Sequence, residues 1–419
     1  MELACKREIN AEVVVVGGGT AGVFAAISAA RTGAKTVLIE KNSILGGTMT
    51  VAGVNFPGLF FAWGRQIIDG PCWESVMRTV ELGGAKLPEI TFKPERHWFE
   101  QIKLNKFVYT AVVFEMCREA GVEVICNAMV SAVVETECEI KVIVTDKNGL
   151  VAINAKTAVD STGDGNLAGM TGFALEKSRE QQPGTLQNHI WGYDVSNVSK
   201  TEFAEKFEKA DFPAYITADK LYGYLSGHKI DMHIRCADAD TSKGKTALDT
   251  EAFAEMLKVY RFYRSIKGLE NLEIDYVASE TGVRETNRIV GEGRVTAEEY
   301  ISGHFYPDSV CYAFYPIDRH VMNGIEKVYH EENVVAKVPY SALVPKGSKR
   351  LVCAGRCISS DEYANSAVRV EAVCMATGQA AGCGAALAAL QNVGVYEISY
   401  RDLCGALESI GGIVPKKEG

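Results

Sequence analysis

No two of the twelve cysteines stand three residues apart, and none sits with histidines at the spacing of a zinc site. The sequence therefore offers no structural metal centre. A disulfide scaffold does not suit a chain of 419 residues, so the thiols read as buried and free in a reducing compartment. A basic excess is also missing. The net charge of -9 argues against nucleic acid as the main partner, although it leaves room for a local basic patch. The opening MELACKREINAE has neither the apolar core nor the small-residue cleavage site of a secretory leader. A cytoplasmic protein without a membrane attachment is expected. Heptad runs, low-complexity tracts and internal repeats are absent as well.

What the chain does have begins at Val13. The stretch VVVVGGGTAGVFAAISAARTGAKTVLIEKNSILGGTMT carries no charge from Val13 to Ala30. It is too interrupted by glycine to span a membrane, which takes about twenty continuous apolar residues. Val13–Val16 are β-branched and predict a strand buried on both faces. The alanine-rich run to Arg31 predicts a helix ended by Gly33, and KTVLIE predicts a second strand closing at Glu40. Within this strand–turn–helix–strand unit, Gly17-x-Gly19-x-x-Gly22 stands where a dinucleotide fingerprint requires it. Gly17 allows the turn, Gly19 lets backbone approach a pyrophosphate, and Gly22 lets helix and strand pack closely. The helix N-terminus would face the phosphates, and Glu40 would accept from ribose hydroxyls.

Nicotinamide and flavin cofactors share this fingerprint, so later segments must decide. EKNSILGGTMT resembles the continuation found in glutathione-reductase-like FAD flavoproteins. KTAVDSTGDGNLAGMTG resembles their second FAD motif. VPYSALVPKGSKRLVCAGRCISS and NSAVRVEAVCMATGQAAGCGAALAAL resemble one branch, the broad FAD-dependent oxidoreductase family with a GRCIS-like loop. The resemblance covers both ends and the middle, about half the chain. It implies noncovalent FAD, because no histidine stands where one branch attaches flavin covalently. Residue by residue it implies cofactor contacts at Thr20 and Ala21 beside the glycines, Lys41 after Glu40, and Gly46, Gly47 and Thr48 in the glycine pair. Further contacts fall on Val130 and on Thr162, Gly163 and Asp164 of the second motif. The last group is Gly355, Arg356, Ser366, Arg369, Val370 and Gln379 near the end of the chain. The small residues from Ala372 to Ala389 would let a helix lie against another backbone. The helix's N-terminal turn, with Arg369, would stabilise charge on reduced flavin.

The expected fold is α/β: a Rossmann-like FAD-binding domain, with a central parallel sheet and an antiparallel meander turned at DKNG, carrying an inserted α+β substrate domain. The expected boundaries are 1–172 and 336–419 for the two parts of the FAD domain and 173–335 for the insertion. The cysteines that serve as a dithiol relay in disulfide reductases are missing, since Met49 replaces one and Cys72 is distant. No second strand-flanked glycine fingerprint is present, so a small organic substrate docking directly on the flavin is expected. In SETGVRETNRIVGEG, Arg284 and Arg288 are four apart and are expected to share a helix face. Either could clamp an anion, or both could serve an ion-pair network with Glu280 and Glu285. In FYPIDRHVMNG, near Tyr315 and Asp318, His320 is the candidate acid/base, and the family has a related I-D-x-H run. Cys353 and Cys357 read as packing thiols. The expected function is FAD-dependent hydride transfer between flavin N5 and a small molecule. The alternative is a thiazole-forming or tRNA-modifying type of flavoprotein in which FAD is structural or auxiliary. A homo-oligomer is compatible with the sequence, and nothing in it names an electron-accepting partner.

Overall fold

The structure, a computed structural model, describes residues 5–91, 100–178, 181–322 and 324–417. The reading of the chain start rests partly on residues 1–4, which lie outside the described residues. Five parallel strands form the central sheet, in the spatial order Leu351–Cys353, Thr157–Asp160, Val13–Val16, Thr36–Glu40 and Glu123–Cys126. Val13–Val16 are all buried, as both faces of an inner parallel strand require. In register, Val16 stands between Asp160 and Ile39, so the carboxyl ends of the inner strands meet at one edge. That edge is where open α/β sheets bind ligands.

Two helices cross behind this edge. The helix Thr20–Arg31 follows the glycine turn and is buried over most of its length. The helix Glu371–Gln391 packs on it through small residues. A Cβ on Gly378 would lie 2.2 Å from the carbonyl oxygen of Ala21, and one on Gly382 would lie 2.1 Å from that of Ala25. Glycine is therefore required for this backbone approach. By length and composition Glu371–Gln391 could cross a membrane, but 89% of its apolar window is buried inside the protein, so it is a core helix.

The expected meander is present as Met129–Glu135, Ile140–Asp146 and Gly149–Ala155, turning where Asp146 pairs with Gly149. A fourth strand, Arg7–Asn10, pairs parallel to its outer edge. The polar REIN sequence does not announce that strand. The expected 173–335 insertion is divided among three cores, with Phe173, Leu175 and Ile289 packing with the meander. Buried apolar residues from Leu186 to Ala278 form a cluster of their own. It is built on the sheet Lys229–Ile234, Gly184–Trp191 and Glu273–Val277 and on the 23-residue helix Ser242–Arg264. From Val295 through Ile317 the buried residues instead join the main core with the two crossing helices. SETGVRETNRIV is not helical, contrary to expectation. Asn287–Ile289 is a short strand paired antiparallel with Leu175–Lys177, so the four-residue spacing of Arg284 and Arg288 sets no common helix face.

Candidate functional site

A cavity of about 770 Å³ runs from the glycine turn to the inserted unit, toward the upper end of the range usual for ligand pockets, roughly 300–1,000 Å³. Its first end is built by backbone. Gly17 has φ +101°, and a Cβ there would lie 2.4 Å from the carbonyl oxygen of Ser161. On Gly22 a Cβ would lie 1.7 Å from the oxygen of Gly17, so this glycine sets the helix–turn distance and does not line the cavity. Gly19 lines it, and its Cβ would meet nothing nearer than the Cα of Gly47, at 3.7 Å. The space beyond Gly19 is thus left to a ligand. The helix begun at Thr20 has no side-chain cap, so its first N–H groups stay open where Thr20 and Ala21 line the cavity. Glu40 closes this end. Its Oε2 accepts from the N–H of Gly18 at 2.7 Å and its Oε1 from that of Asn42 at 2.8 Å. Burial raises its pKa against those two bonds, and each oxygen keeps a lone pair for a ribose hydroxyl.

The second motif is equally braced. Asp160, at the end of its strand, accepts from the N–H and hydroxyl of Thr162 and from the N–H of Ala168. Arg356 donates to the carbonyl of Gly163, to Asp164 and to the carbonyl of Val283, tying this motif to the inserted unit. Gly47, Thr48, Val130, Gly355, Ser366 and Val370 also line the cavity, as does Lys41, whose Nζ lies 3.4 Å from Glu280. Three of the expected cofactor contacts do not line it. Besides Gly22 these are Gly46, which shapes the turn with φ 105°, and Gln379, whose Oε1 accepts from the N–H of Cys72 at 3.1 Å. Gln379 sits two turns into its helix, on the face toward Pro71–Glu81, and so caps a neighbouring helix.

The other end of the cavity carries side-chain chemistry. Asp318 and His320 alternate along the strand Ile317–Val321, so both point to one face. His320 Nε2 lies 3.1 Å from Asp318 Oδ2, and its Nδ1 is buried without a partner. With the proton of the neutral ring on Nε2, the lone pair falls on Nδ1. Burial lowers the His320 pKa, as do Arg284 and Arg369, against the opposing bond to Asp318. Burial would raise Asp318, but the His320 bond, His320 charge and Arg369 hold it below the usual range. Arg284 lines the cavity and donates to the carbonyl of Pro183. Burial, then the charge of Arg369, pushes its pKa down to about 10. Arg369 lines the cavity too, donating to Gln182 Oε1 at 3.2 Å. Arg288 does not reach the cavity. It is buried, donating to Ser178 Oγ at 2.6 Å and to the carbonyl of Ser360 at 3.1 Å, and neither Glu280 nor Glu285 is its partner.

Three groups escaped the sequence reading. His233 meets the His320 ring edge-on, with centroids 5.1 Å apart, and its Nε2 lies 3.4 Å from Arg284 Nη2. Burial, then Arg284, takes its pKa down to about 3, so it is neutral. Strand alternation was the available signal: in KIDMHI the apolar residues face the insertion's core, which leaves Asp231 and His233 on the opposite side. Gln182 accepts from both the His320 backbone N–H and Arg369. Glu371 opens the long helix with both carboxyl oxygens buried and unpartnered, and burial raises its pKa. One N–H of that helix's first turn, at Ala372, already donates to the carbonyl of Pro57. Met49 and Cys72 are buried away from the cavity. Cys374 lines it, but its thiol points at the carbonyl of Arg369 and is raised by burial. No dithiol relay faces the cavity among the described residues.

A family model described as FAD dependent oxidoreductase matches residues 12–407. Thiamine thiazole synthase of Methanococcus vannielii is 27% identical over 164 residues, which is 37% of this chain and 57% of that one. The chain thus spans little more than half the length of that relative. Fumarate reductase (cytochrome) of Shewanella frigidimarina is 42% identical over 74 residues, 16% of this chain and 12% of that one. Among solved structures, a geranylgeranyl bacteriochlorophyll reductase-like protein from Thermoplasma acidophilum superposes with a TM-score of 0.47 at 15% identity. That superposition covers 96% of this chain and 83% of the other.

Proposed function

Since the chain belongs to the FAD dependent oxidoreductase family, we propose that it oxidises or reduces a small organic substrate held between the nucleotide-binding edge and the inserted unit. The carrying observation is the Asp318–His320 pair on the wall of the same cavity that begins at the uncapped glycine turn. The glycine turn, the open N–H groups of Thr20 and Ala21, and Glu40 fit the adenosine diphosphate of FAD, bound without a covalent link. We place the chain in the glutathione-reductase-like branch on the strength of its EKNSILGGT and GRCIS segments. FAD, when bound, supplies the two-electron chemistry. Asp318 fixes the His320 ring and keeps Nδ1 unprotonated. That nitrogen is closed to solvent in this structure, so a substrate hydroxyl reaches it only when the ring or its neighbours shift. The neighbouring guanidiniums keep the resting ring unprotonated, and Asp318 is the group that offsets them when the ring takes a proton.

Purified protein is expected to be yellow and to release FAD, not FMN or NAD, on heating. Anaerobic screening of small metabolites for flavin bleaching then finds the substrate. His320→Ala should slow substrate-driven bleaching by a factor of about 100–10,000 with FAD content unchanged. A rate within about threefold of wild type would remove His320 from the reaction. The likeness to thiamine thiazole synthase supports a second reading, a synthase in which flavin never turns over. Flavin that stays oxidised with every metabolite would favour it.

A further inference from the structure

The arginines at the substrate end lack the partners that buried cations normally have. Other charges nearby are paired to different degrees, and one oxygen each of Asp231, Glu285 and Asp318 is buried without a hydrogen bond. Arg356 is bonded to Asp164. Lys220 has Asp231 as its opposing charge. Asp318 is committed to His320. Arg284 and Arg369 are set deep on the cavity wall, and among the described residues neither has a carboxylate at ion-pair distance. The bonds of Arg284 go to the carbonyl of Pro183 and to neutral His233, and those of Arg369 to Gln182 and the carbonyl of Asp318. The Nε of Arg369 is buried without any acceptor. Asp231 and Asp318 attract Arg284, and Asp318 and Glu285 attract Arg369, without a hydrogen bond to any of these carboxylates. The two guanidiniums also repel each other. Two like charges held together in a partly dehydrated wall are unfavourable unless an anion comes between them.

We infer that Arg284 and Arg369 together form the recognition site for a substrate carboxylate, with His233 holding the Arg284 guanidinium in place. A planar guanidinium matches a carboxylate through two parallel N–H bonds, and binding one relieves the repulsion as well. This assignment rests on the oxidoreductase reading and narrows it to carboxylic acid substrates. It also moves Arg369 from the flavin, where the sequence placed it, to the substrate.

The test is calorimetric titration of the FAD-loaded protein with matched probes, benzoate against benzamide and propionate against propionamide. Saturable binding is expected for a carboxylate and not for its amide. Arg284→Gln and Arg369→Gln should each weaken carboxylate binding about tenfold to a hundredfold, and the surface control Arg294→Gln should leave it unchanged. Either variant could lose FAD or fold poorly, so flavin content and circular dichroism are read first. Lys at the same position, which keeps the charge without the fork, should then recover part of the affinity. The inference is overturned if amides bind as well as acids, if no probe carboxylate binds, or if folded, FAD-loaded arginine variants bind as wild type does. A lowered flavin reduction potential in Arg369→Gln, with carboxylate affinity intact, would return that residue to the flavin. Failure of the wider reading looks different: carboxylates bind through both arginines, yet no metabolite ever bleaches the flavin.

Discussion

Gly19 and Gly22 are three residues apart, and a methyl group meets different surroundings at the two. At Gly22 it runs into the backbone of Gly17, whereas at Gly19 it projects into the cavity. Gly22→Ala is therefore expected to destabilise the fold by about 3 kcal/mol or more, as overpacking against immovable backbone does. Gly19→Val should leave the apoprotein's melting temperature almost unchanged and abolish FAD binding. Calorimetry and flavin content separate the two, and a Gly19→Val protein that still holds FAD would disprove the cradle. Outside the site, His330 shows how burial ties stability to pH. It lies between Tyr300 and Phe314, and burial lowers its pKa from 6.5 to about 4. A histidine depressed in the folded state favours folding fully above 6.5, and that contribution is lost as pH falls toward 4, because the unfolded chain takes the proton first. His330→Phe keeps the stacked ring and removes the proton site. Its melting temperature should fall less than wild type between about pH 6.5 and 4. Parallel acid-side curves would show that His330 does not set the slope.

At the scale of elements, the segments that were legible were those whose pattern is local. Val13–Val16, the helix after the glycines, Glu40 and the hairpin at Asp146–Gly149 follow from β-branching, glycine placement and turn residues within a few positions. SETGVRETNRIV misled because its arginines stand at helical spacing while Gly282 and the paired strand at Asn287–Ile289 enforce extended backbone. Gln379 shows a related limit: a matching motif identifies a helix, but not that this side chain bonds the N–H of Cys72 on the neighbouring helix instead of lining the cavity. The small-residue pattern of Glu371–Gln391 was legible, and its two contact glycines make a sharp prediction. Gly378→Ala or Gly382→Ala should destabilise by about 1–3 kcal/mol, by wedging the helix off Thr20–Arg31, and should weaken FAD through the displaced glycine turn. Gly405, exposed within the helix Tyr400–Ser409 and with nothing near its Cβ position, is the contrast. Gly405→Ala should stabilise by about 0.5–1 kcal/mol. If all three substitutions behaved alike, close approach would not be what the helix glycines provide.

At the scale of the whole molecule, the substrate end was only half legible. His320 and Asp318 are neighbours in sequence, but His233 and Gln182 reach them from segments far away, through strand pairing that no short window records. The same holds for the cleft's closure. Lys41, just past the strand that bears Glu40, lies 3.4 Å from Glu280 of the inserted unit, and Lys245 on the long helix Ser242–Arg264 lies 3.6 Å from the same oxygen. Lys245 is also held by Asp249 at 2.6 Å, which in turn accepts from the N–H of Thr281. These links join the strand that bears Glu40 to the inserted unit along the cavity wall, because Lys41, Lys245 and Glu280 all line it. A partly exposed cluster of this kind contributes about 0–1 kcal/mol, a factor of up to roughly five in a dissociation rate. Glu280→Gln should therefore release FAD up to about fivefold faster, measured by flavin fluorescence after dilution. The sign is diagnostic, since removing a negative charge from the wall that holds an anionic cofactor would by itself slow release. Added salt should speed release from wild type by screening the links and should affect the variant less. Equal rates and equal salt dependence in the two proteins would show that the ion pairs lie across the cleft without holding it shut.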